Sequence, residues 1–439
     1  MAVSGWAPFK LGELVQIRHG WPFKSEYFDE QLTGLPIVVS VGNFQYTGGF
    51  RFAETSVKEY RDSYPKEYEL APGDILLIMT CQTAGGEILG IPARVPNDGR
   101  VYLHNQRLGK VVVREGARVE LDFLYWLFLW PDFNRELVTS ASGTKILHTA
   151  PSRIEEFRFE LPPLDEQRAI AHILGTLDAK IELNRRMSET LEAMARALFK
   201  SWFIDFDLVH AKAEGRDLGL PQPLADLFPD SFEDSELGEI PKGWEVRSLD
   251  EIARFLNGLA LQKYPPKDGR SLPVIKIAQL RAGNTDGADA ASVDLEPDYI
   301  VEDGDVLFSW SGSLECVLWA GGRGALNQHL FKVTSVNYPQ WLYYLWIHHH
   351  LADFRHTAAA KATTMGHIQR HHLSEARVVL PSRALLDAAD RYIGPLITAI
   401  PKHLVEARSL VDVRNALLPK LVSGEILIAH AERIDGGVS

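Results

Sequence analysis

The sequence predicts an α+β chain built twice over: two repeated mixed α/β domains separated by two long antiparallel helices, a coiled-coil spacer with pseudo-twofold symmetry. Three observations carry this expectation. The 439 residues exceed one ordinary core, so two or three domains are expected. Motifs of the first half return in the second, the mark of an internal repeat. Each half also closes on a stretch with apolar residues at heptad positions and few helix breakers.

The repeat opens with Phe9-Lys-Leu-Gly-Glu-Leu followed by Gly20, and again with Trp244-Glu-Val-Arg-Ser-Leu followed by Gly258. Leu35-Pro-Ile-Val-Val then matches Leu272-Pro-Val-Ile-Lys, and Pro72-Gly-Asp-Ile-Leu-Leu matches Asp303-Gly-Asp-Val-Leu-Phe. His104-Asn-Gln-Arg-Leu pairs with Leu326-Asn-Gln-His-Leu, and Phe123-Leu-Tyr-Trp with Trp341-Leu-Tyr-Tyr. Beyond these points the halves keep one offset of 219 residues: Thr144 with Thr363, His148 with His367, Leu161 with Leu380, Leu191 with Leu410, Leu198 with Leu417. Short β-branched runs between Gly/Pro turns (Ile37-Val-Val, Ile75-Leu-Leu-Ile, Val111-Val-Val, Val274-Ile, Val378-Val-Leu) read as strands of a globular α/β domain in each half. The boundaries read as 1–163 for the first domain, 164–206 for the first long helix and 207–242 for an acidic connector. The second domain is then 243–382, the second helix 383–425 and the C-terminal tail 426–439.

The first helix is expected to start after Pro162-Pro163, with Asp165 as N-cap, and to run to about Phe203. Its seam is Ile170, Leu174, Leu177, Ile181, Leu191, Ala195, Leu198 and Trp202, interrupted by Asn184 and Ser188. The second seam is Ile393, Leu396, Ile400, Ala407, Leu410, Leu417 and Leu421, with His403 at the Asn184 position and Arg414 at the Ala195 position. Neither stripe is stable alone, and packing the helices on each other satisfies both. Some forty residues at 1.5 Å rise give a rod on the order of 55–60 Å. Asn184 and His403 either fix the register of the pair or lie just off the seam in water. Pro395 and Pro401 predict a kink or a late start.

Two cysteines, Cys81 and Cys316, are too few for a disulfide framework and read as buried small hydrophobes. With no basic-then-apolar leader and no apolar run near the roughly 20 residues of a membrane span, a cytoplasmic protein without membrane contact is expected. The net charge of −12 speaks at first against nucleic acid. However, residues Asp205 to Glu245 carry eleven acidic against three basic groups, while residues 1–160 hold twenty acidic and seventeen basic ones, so the domains themselves are nearly balanced.

Leu161-Pro-Pro-Leu-Asp-Glu-Gln-Arg-Ala-Ile at the first helix start, Ala197-Leu-Phe-Lys-Ser-Trp-Phe-Ile-Asp-Phe-Asp at its end and Leu417-Leu-Pro-Lys-Leu-Val-Ser-Gly-Glu-Ile near the C-terminus carry a family resemblance. They resemble the conserved regions of type I restriction-modification specificity subunits. The segment from Ala211-Lys-Ala-Glu-Gly-Arg-Asp through Phe228-Pro-Asp-Ser-Phe to Ile240-Pro-Lys-Gly-Trp resembles those subunits' acidic connector. The second helix start, Leu380-Pro-Ser-Arg-Ala-Leu-Leu-Asp, departs from the motif. The resemblance implies a non-catalytic DNA-recognition subunit whose two target-recognition domains each read one half of an asymmetric bipartite site in double-stranded DNA. The helices are implied to set the unread gap, which agrees with half-site spacing mirroring module separation. They are also implied to dock two methyltransferase subunits and, in the full complex, motor-nuclease subunits. No cofactor is implied on this chain: S-adenosylmethionine, ATP and Mg²⁺ would belong to the partners. A self-contained DNA-binding or scaffold protein is the alternative.

Other chemistry finds little support. There is no Asp/Asn-Pro-Pro-Tyr/Phe run and no GxxxxGK[ST] loop. A nuclease-like set of Asp132, Asp178 and Lys180 would place two members on the long helix. His348 to His350, with His371 and His372 further along, read as a solvated or phosphate-facing cluster, so no metal is expected. Base edges and phosphates are met by polar and basic loop residues. Thr144, Lys145, Thr363, Thr364 and His367, in the polar segment before the last strand of each domain, are therefore the first DNA-binding candidates. Gln106, Arg107, Gln328 and His329 follow, although the Asn-Gln pairs can equally tie a turn to its neighbour. Lys24, with Trp21 and Phe23, forms an aromatic-basic loop whose rings either lie on the duplex or form a satellite core.

Overall fold

The computed structural model describes residues 5–29, 33–52, 56–83, 85–143, 145–360 and 366–428. It divides into two compact units, Met1–Asp178 with Asp412–Ser439, and Ala179–Val411.

In the first unit Val15–His19, Leu108–Val113, Ile75–Ile78 and Pro92–Arg94 form a four-stranded antiparallel sheet in that order. A second sheet pairs Ile37–Val38 in parallel with Tyr102–Leu103, which is flanked antiparallel by Glu69–Leu70. Ala7–Lys10 closes on Arg158–Leu161. The helix Leu121–Phe128 buries every residue from Phe123 to Phe128 against this framework, because its apolar residues cover the whole circumference.

The second unit repeats the plan of these three sheets, with four strands in place of five in the second one. Arg254–Asn257, Leu330–Thr334, Val306–Ser309 and Cys316–Leu318 make the antiparallel sheet. Leu272–Ile275 pairs in parallel with Gly324–Leu326, flanked by Ile300–Val301. Glu245–Ser248 closes on Arg377–Leu380.

The repeated Gly-Asp turn has a physical reason. Asp74 Oδ2 accepts the Ala71 N–H at 2.8 Å and meets Lys110 Nζ at 2.5 Å. Asp305 Oδ2 accepts the Glu302 N–H at 2.8 Å and meets Lys332 Nζ at 2.7 Å. One carboxylate thus closes the turn and neutralises the lysine of the neighbouring strand in both units.

The first long helix spans Leu164–Phe199 and continues as a π-helical turn, Lys200–Ile204. It starts one residue before Asp165, so Asp165 lies in the first turn and is not the N-cap. The Asp-Glu-Gln-Arg motif fastens this start: Glu166 accepts the Trp6 indole N–H at 2.8 Å, the buried Gln167 bridges Pro162 O and Glu120 N, and Arg168 pairs with Glu120 at 2.7 Å.

The second long helix, Arg383–Val422, is continuous through Pro395 and Pro401, which corrects the expected late start. Ile393, Ile397 and Ile400 are all buried, and side chains of this size contribute about 2 kcal/mol each. Together they offset the roughly 3 kcal/mol that each of the two interior prolines costs. The Thr398 hydroxyl also donates to Gly394 O at 3.0 Å.

The helices meet antiparallel within each unit. In the first, Ile170 and Leu174 share a core with Leu418, Leu421 and Val422, and the nearly buried Arg414 pairs with Asp178. In the second, Lys180 lies 3.5 Å from Glu406, and the Ser188 hydroxyl donates to Ile400 O at 3.4 Å. Of the expected seam, Ile170, Leu174, Ile181, Ala195, Trp202, Ile393, Ile400, Ala407 and Leu421 are buried. Leu177, Leu191, Leu198, Leu396, Leu410 and Leu417 are half-buried, since Ile397 and Leu418 take the inner seats beside Leu396 and Leu417. Asn184 is 0% exposed, which excludes a position in water. Along its helix Asn184 lies midway between two residues that contact the second helix, Lys180 and Ser188.

The expected solvated histidine cluster is corrected for His348 and His350, whereas His349 and His371 are exposed. His348 lies on the helix Gln340–Ala360, accepts an Arg196 N–H at 2.8 Å through Nδ1, and is pushed down to about 4 by burial and by Arg196. His350 bonds Arg377 O at 2.8 Å through Nε2 and is likewise lowered by burial. The helix runs through the interior, so these rings pack against Tyr344, Trp346 and Phe354. Cys81 and Cys316 are buried thiols, and burial raises the Cys316 thiol well above its usual value. Among the described residues no helix is long and apolar enough to cross a membrane.

Candidate functional site

Both units build one constellation from the same positions. In the first, Trp21 N donates to His104 O at 2.8 Å and Gln106 N to Trp21 O at 3.0 Å, zipping the Gly20 loop to the Asn-Gln turn. In the second, Leu259 N donates to Leu326 O at 3.0 Å and Gln328 N to Leu259 O at 2.9 Å. A glycine is required at the crossing. A Cβ on Gly20 would stand 2.3 Å from His104 O, and one on Gly258 would stand 2.2 Å from Asn327 O. Asn105 Oδ1 accepts the Arg107 N–H at 3.0 Å, and Asn327 Oδ1 the His329 N–H at 3.2 Å. The asparagines therefore tie the turn, as one reading of the motif required, and each turn presents a glutamine and then a basic or imidazole side chain.

The polar segment before the last strand meets this turn. Leu147–His148 pairs with Thr80–Cys81, and Thr80 Oγ1 lies 3.1 Å from His148 Nδ1. In the second unit Ser311 bridges His367 through the backbone, and Ser311 Oγ lies 3.0 Å from His329 Nδ1. Gln106, Arg107, His148 and Thr80 thus come together in one unit, and Gln328, His329, His367 and Ser311 in the other.

The two copies differ in how they are filled. In the first unit His19, Met79, Thr80, Gln106, Arg107, His148 and Thr149 line an open cleft of about 470 Å³. In the second, Trp310 stands at the Met79 position. Its indole N–H donates to Gln328 O at 3.1 Å, and its ring lies 5.6 Å from that of His329 and 6.4 Å from that of His367.

Lys24 and Lys145 are exposed but lie outside this lining. Thr144, Thr363 and Thr364 lie outside the described residues. The rings beside Lys24 form a satellite core: Phe23 packs on Tyr60 at 4.9 Å and Trp21 on Tyr68 at 5.3 Å. Sequence reasoning missed Thr80, Ser311, His19 and Trp310. The hydroxyl shared by Thr80 and Ser311, just beyond equivalent strands, was the available signal.

Among the described residues His371, His372 and Glu375 could bring three ligand atoms within 4.8 Å of one another. However, His372 Nδ1 accepts the Gln369 N–H at 2.8 Å, closing the helix start. That bond puts the neutral ring's proton on Nε2, the atom an ion would need, so the set does not fit a metal as it stands.

Comparison with known proteins places this architecture. A family model described as "Type I restriction modification DNA specificity domain" matches residues 3–193 and 241–384, one match in each half. The chain is 23% identical over 389 residues to the type I restriction enzyme HindI specificity subunit of Haemophilus influenzae, covering 76% of this chain and 83% of that protein. It is 25% identical over 341 residues to the MjaIX specificity subunit of Methanocaldococcus jannaschii, covering 74% of this chain and 73% of that protein. Its fold matches the crystal structure of the type I restriction-modification system S subunit from M. genitalium with a TM-score of 0.56 at 15% identity, over 95% of this chain and 96% of that one. With that model on both halves and the same fold built twice, the chain belongs to the type I restriction modification DNA specificity family.

Proposed function

We propose that this chain is the sequence-reading subunit of a type I restriction-modification assembly, each unit reading one half of an asymmetric bipartite site in double-stranded DNA. The carrying observation is the duplicated constellation. Two copies of one scaffold hold a glutamine and a hydroxyl at matching positions, but the first leaves an open cleft beside them and the second sets the Trp310 indole there, so the two units present unlike surfaces. A shared scaffold with unlike side chains is what two unlike half-sites require.

The family recognises DNA and is not catalytic. Each member of the nuclease-like set sits in an ion pair: Asp132 with Arg135, Asp178 with Arg414 and Lys180 with Glu406. Methyl transfer to adenine N6 and strand cleavage are assigned to partner subunits, two methyltransferases and, in the full complex, motor-nucleases. S-adenosylmethionine, ATP and Mg²⁺ are assigned to those partners as well. The helix pair, with its polar layer at Asn184, sets the gap between half-sites in a cytoplasmic complex.

The test is co-expression with the host's adenine methyltransferase subunit, followed by mapping of N6-methyladenine with and without this chain. The expected result is methylation at one bipartite motif that vanishes on deletion. A chain that binds no methyltransferase and leaves methylation unchanged would instead be a free-standing DNA-binding or scaffold protein.

A further inference from the structure

The cleft of the first unit has a composition that narrows its ligand. His19, Gln106, Arg107, His148, Thr80 and Thr149 supply its polar lining, and no carboxylate among the described residues is part of it. Arg107 is exposed, and among the described residues none engages its guanidinium. His148 commits Nδ1 to Thr80, which leaves Nε2 uncommitted. Thr149 is only 7% exposed, yet its hydroxyl has no hydrogen-bond partner among the described residues. That hydroxyl lies just beneath the cleft lining, and an orphaned buried hydroxyl costs about 1–3 kcal/mol unless something else satisfies it. These groups together ask for a ligand rich in acceptor oxygens and negatively charged.

The shape decides which part of a duplex that is. The cleft is concave, so only a group that protrudes from the DNA can enter. Base edges lie at the floor of a groove about 8.5 Å deep and are read by side chains that project into it. Backbone phosphates protrude, accept hydrogen bonds only and attract basic groups. The equivalent place in the second unit is occupied by the Trp310 indole, and Ile368 replaces Thr149 there.

We propose that the first unit's cleft seats one backbone phosphate of the DNA, held by Arg107, His148 and Thr149, and that it contributes affinity without reading sequence. The inference rests on the DNA-reading role proposed above. It divides the candidates: Arg107 anchors the duplex, and base discrimination in this unit falls to other residues.

The test measures binding by the full chain with its methyltransferase subunit. The probes are a duplex carrying the mapped motif, the same duplex with both half-sites scrambled, and a series of motif duplexes each with one uncharged methylphosphonate. Arg107→Ala is expected to weaken both the intact and the scrambled duplex about tenfold and to lower the slope of log affinity against log salt by about 0.9. One methylphosphonate position should weaken the unsubstituted protein but add nothing in Arg107→Ala. Thr149→Val, which removes only the orphaned hydroxyl, should weaken binding in the same sequence-blind way while raising thermal stability. The inference is overturned if Arg107→Ala weakens only the intact motif, which makes Arg107 a base reader, or if every methylphosphonate adds to it in full. Should the unsubstituted protein bind intact and scrambled duplexes alike, the DNA-reading role fails, and the salt slope still decides the phosphate contact separately.

Discussion

Asn184→Leu should stabilise the helix pair. Asn184 is 0% exposed, and neither its amide nitrogen nor its carbonyl oxygen has a hydrogen-bond partner among the described residues. A buried polar group left unsatisfied costs about 1–3 kcal/mol, and a leucine of similar size adds apolar burial at a heptad seam position. The expected gain is about 2 kcal/mol, equivalent to roughly 30-fold slower local opening. Hydrogen exchange of the amides in 180–190 reads this opening directly, without assuming that the whole chain unfolds in one step. Unchanged or faster exchange would refute the packing account. A polar seam residue also specifies register at a cost in stability, so the same variant should methylate motifs of more than one gap length. A stabilised variant that keeps a single gap would refute the register role while leaving the packing argument intact.

Three further outcomes follow from other contacts. Asp178→Ala should lower the urea midpoint more than Arg414→Met, because the first strands a nearly buried cation whereas the second leaves a carboxylate that reaches water; equal effects would contradict this. Gly20→Ala and Gly258→Ala should each destabilise by about 1–3 kcal/mol, since each methyl meets a backbone carbonyl oxygen, at 2.3 Å and 2.2 Å respectively, and limited proteolysis should show faster cutting in the substituted unit only. His104, whose Nε2 lies 2.9 Å from Leu108 O, and His348 are both held neutral by burial, with folded values of about 4 against 6.5. The unfolded chain alone takes up protons between those values, so stability should be flat above pH 6.5 and fall by about 3 kcal/mol per histidine on descending to pH 4. His104→Gln should flatten that fall in a melting series.

The repeat was legible because it is written in residues with fixed structural duties. Gly20 and Gly258 are demanded by a crossing carbonyl, Asp74 and Asp305 by a turn and a lysine, Asn105 and Asn327 by the turn they close. The antiparallel pairing was legible for a similar reason, since each heptad stripe needs a partner. Less legible were features set by tertiary context. Pro395 and Pro401 argue locally against a helix, but three buried isoleucines on the same segment override them. His348 and His350 look exposed as a run of polar residues and are half-buried because their helix packs into the interior. The cleft in one unit and its closure in the other depend on Met79 and Trp310, a difference with no meaning until strand pairing sets both residues beside the Asn-Gln turn.

The most direct test of the account is a domain exchange followed by methylation mapping. Residues 5–160 would be replaced by the matching segment of a relative with a different target, in cells that supply the methyltransferase subunit. The account predicts that one half of the methylated motif changes while the other half and the gap stay as they were. A motif in which both halves change together, or in which only the gap moves, would contradict the claim that each unit reads its own half-site.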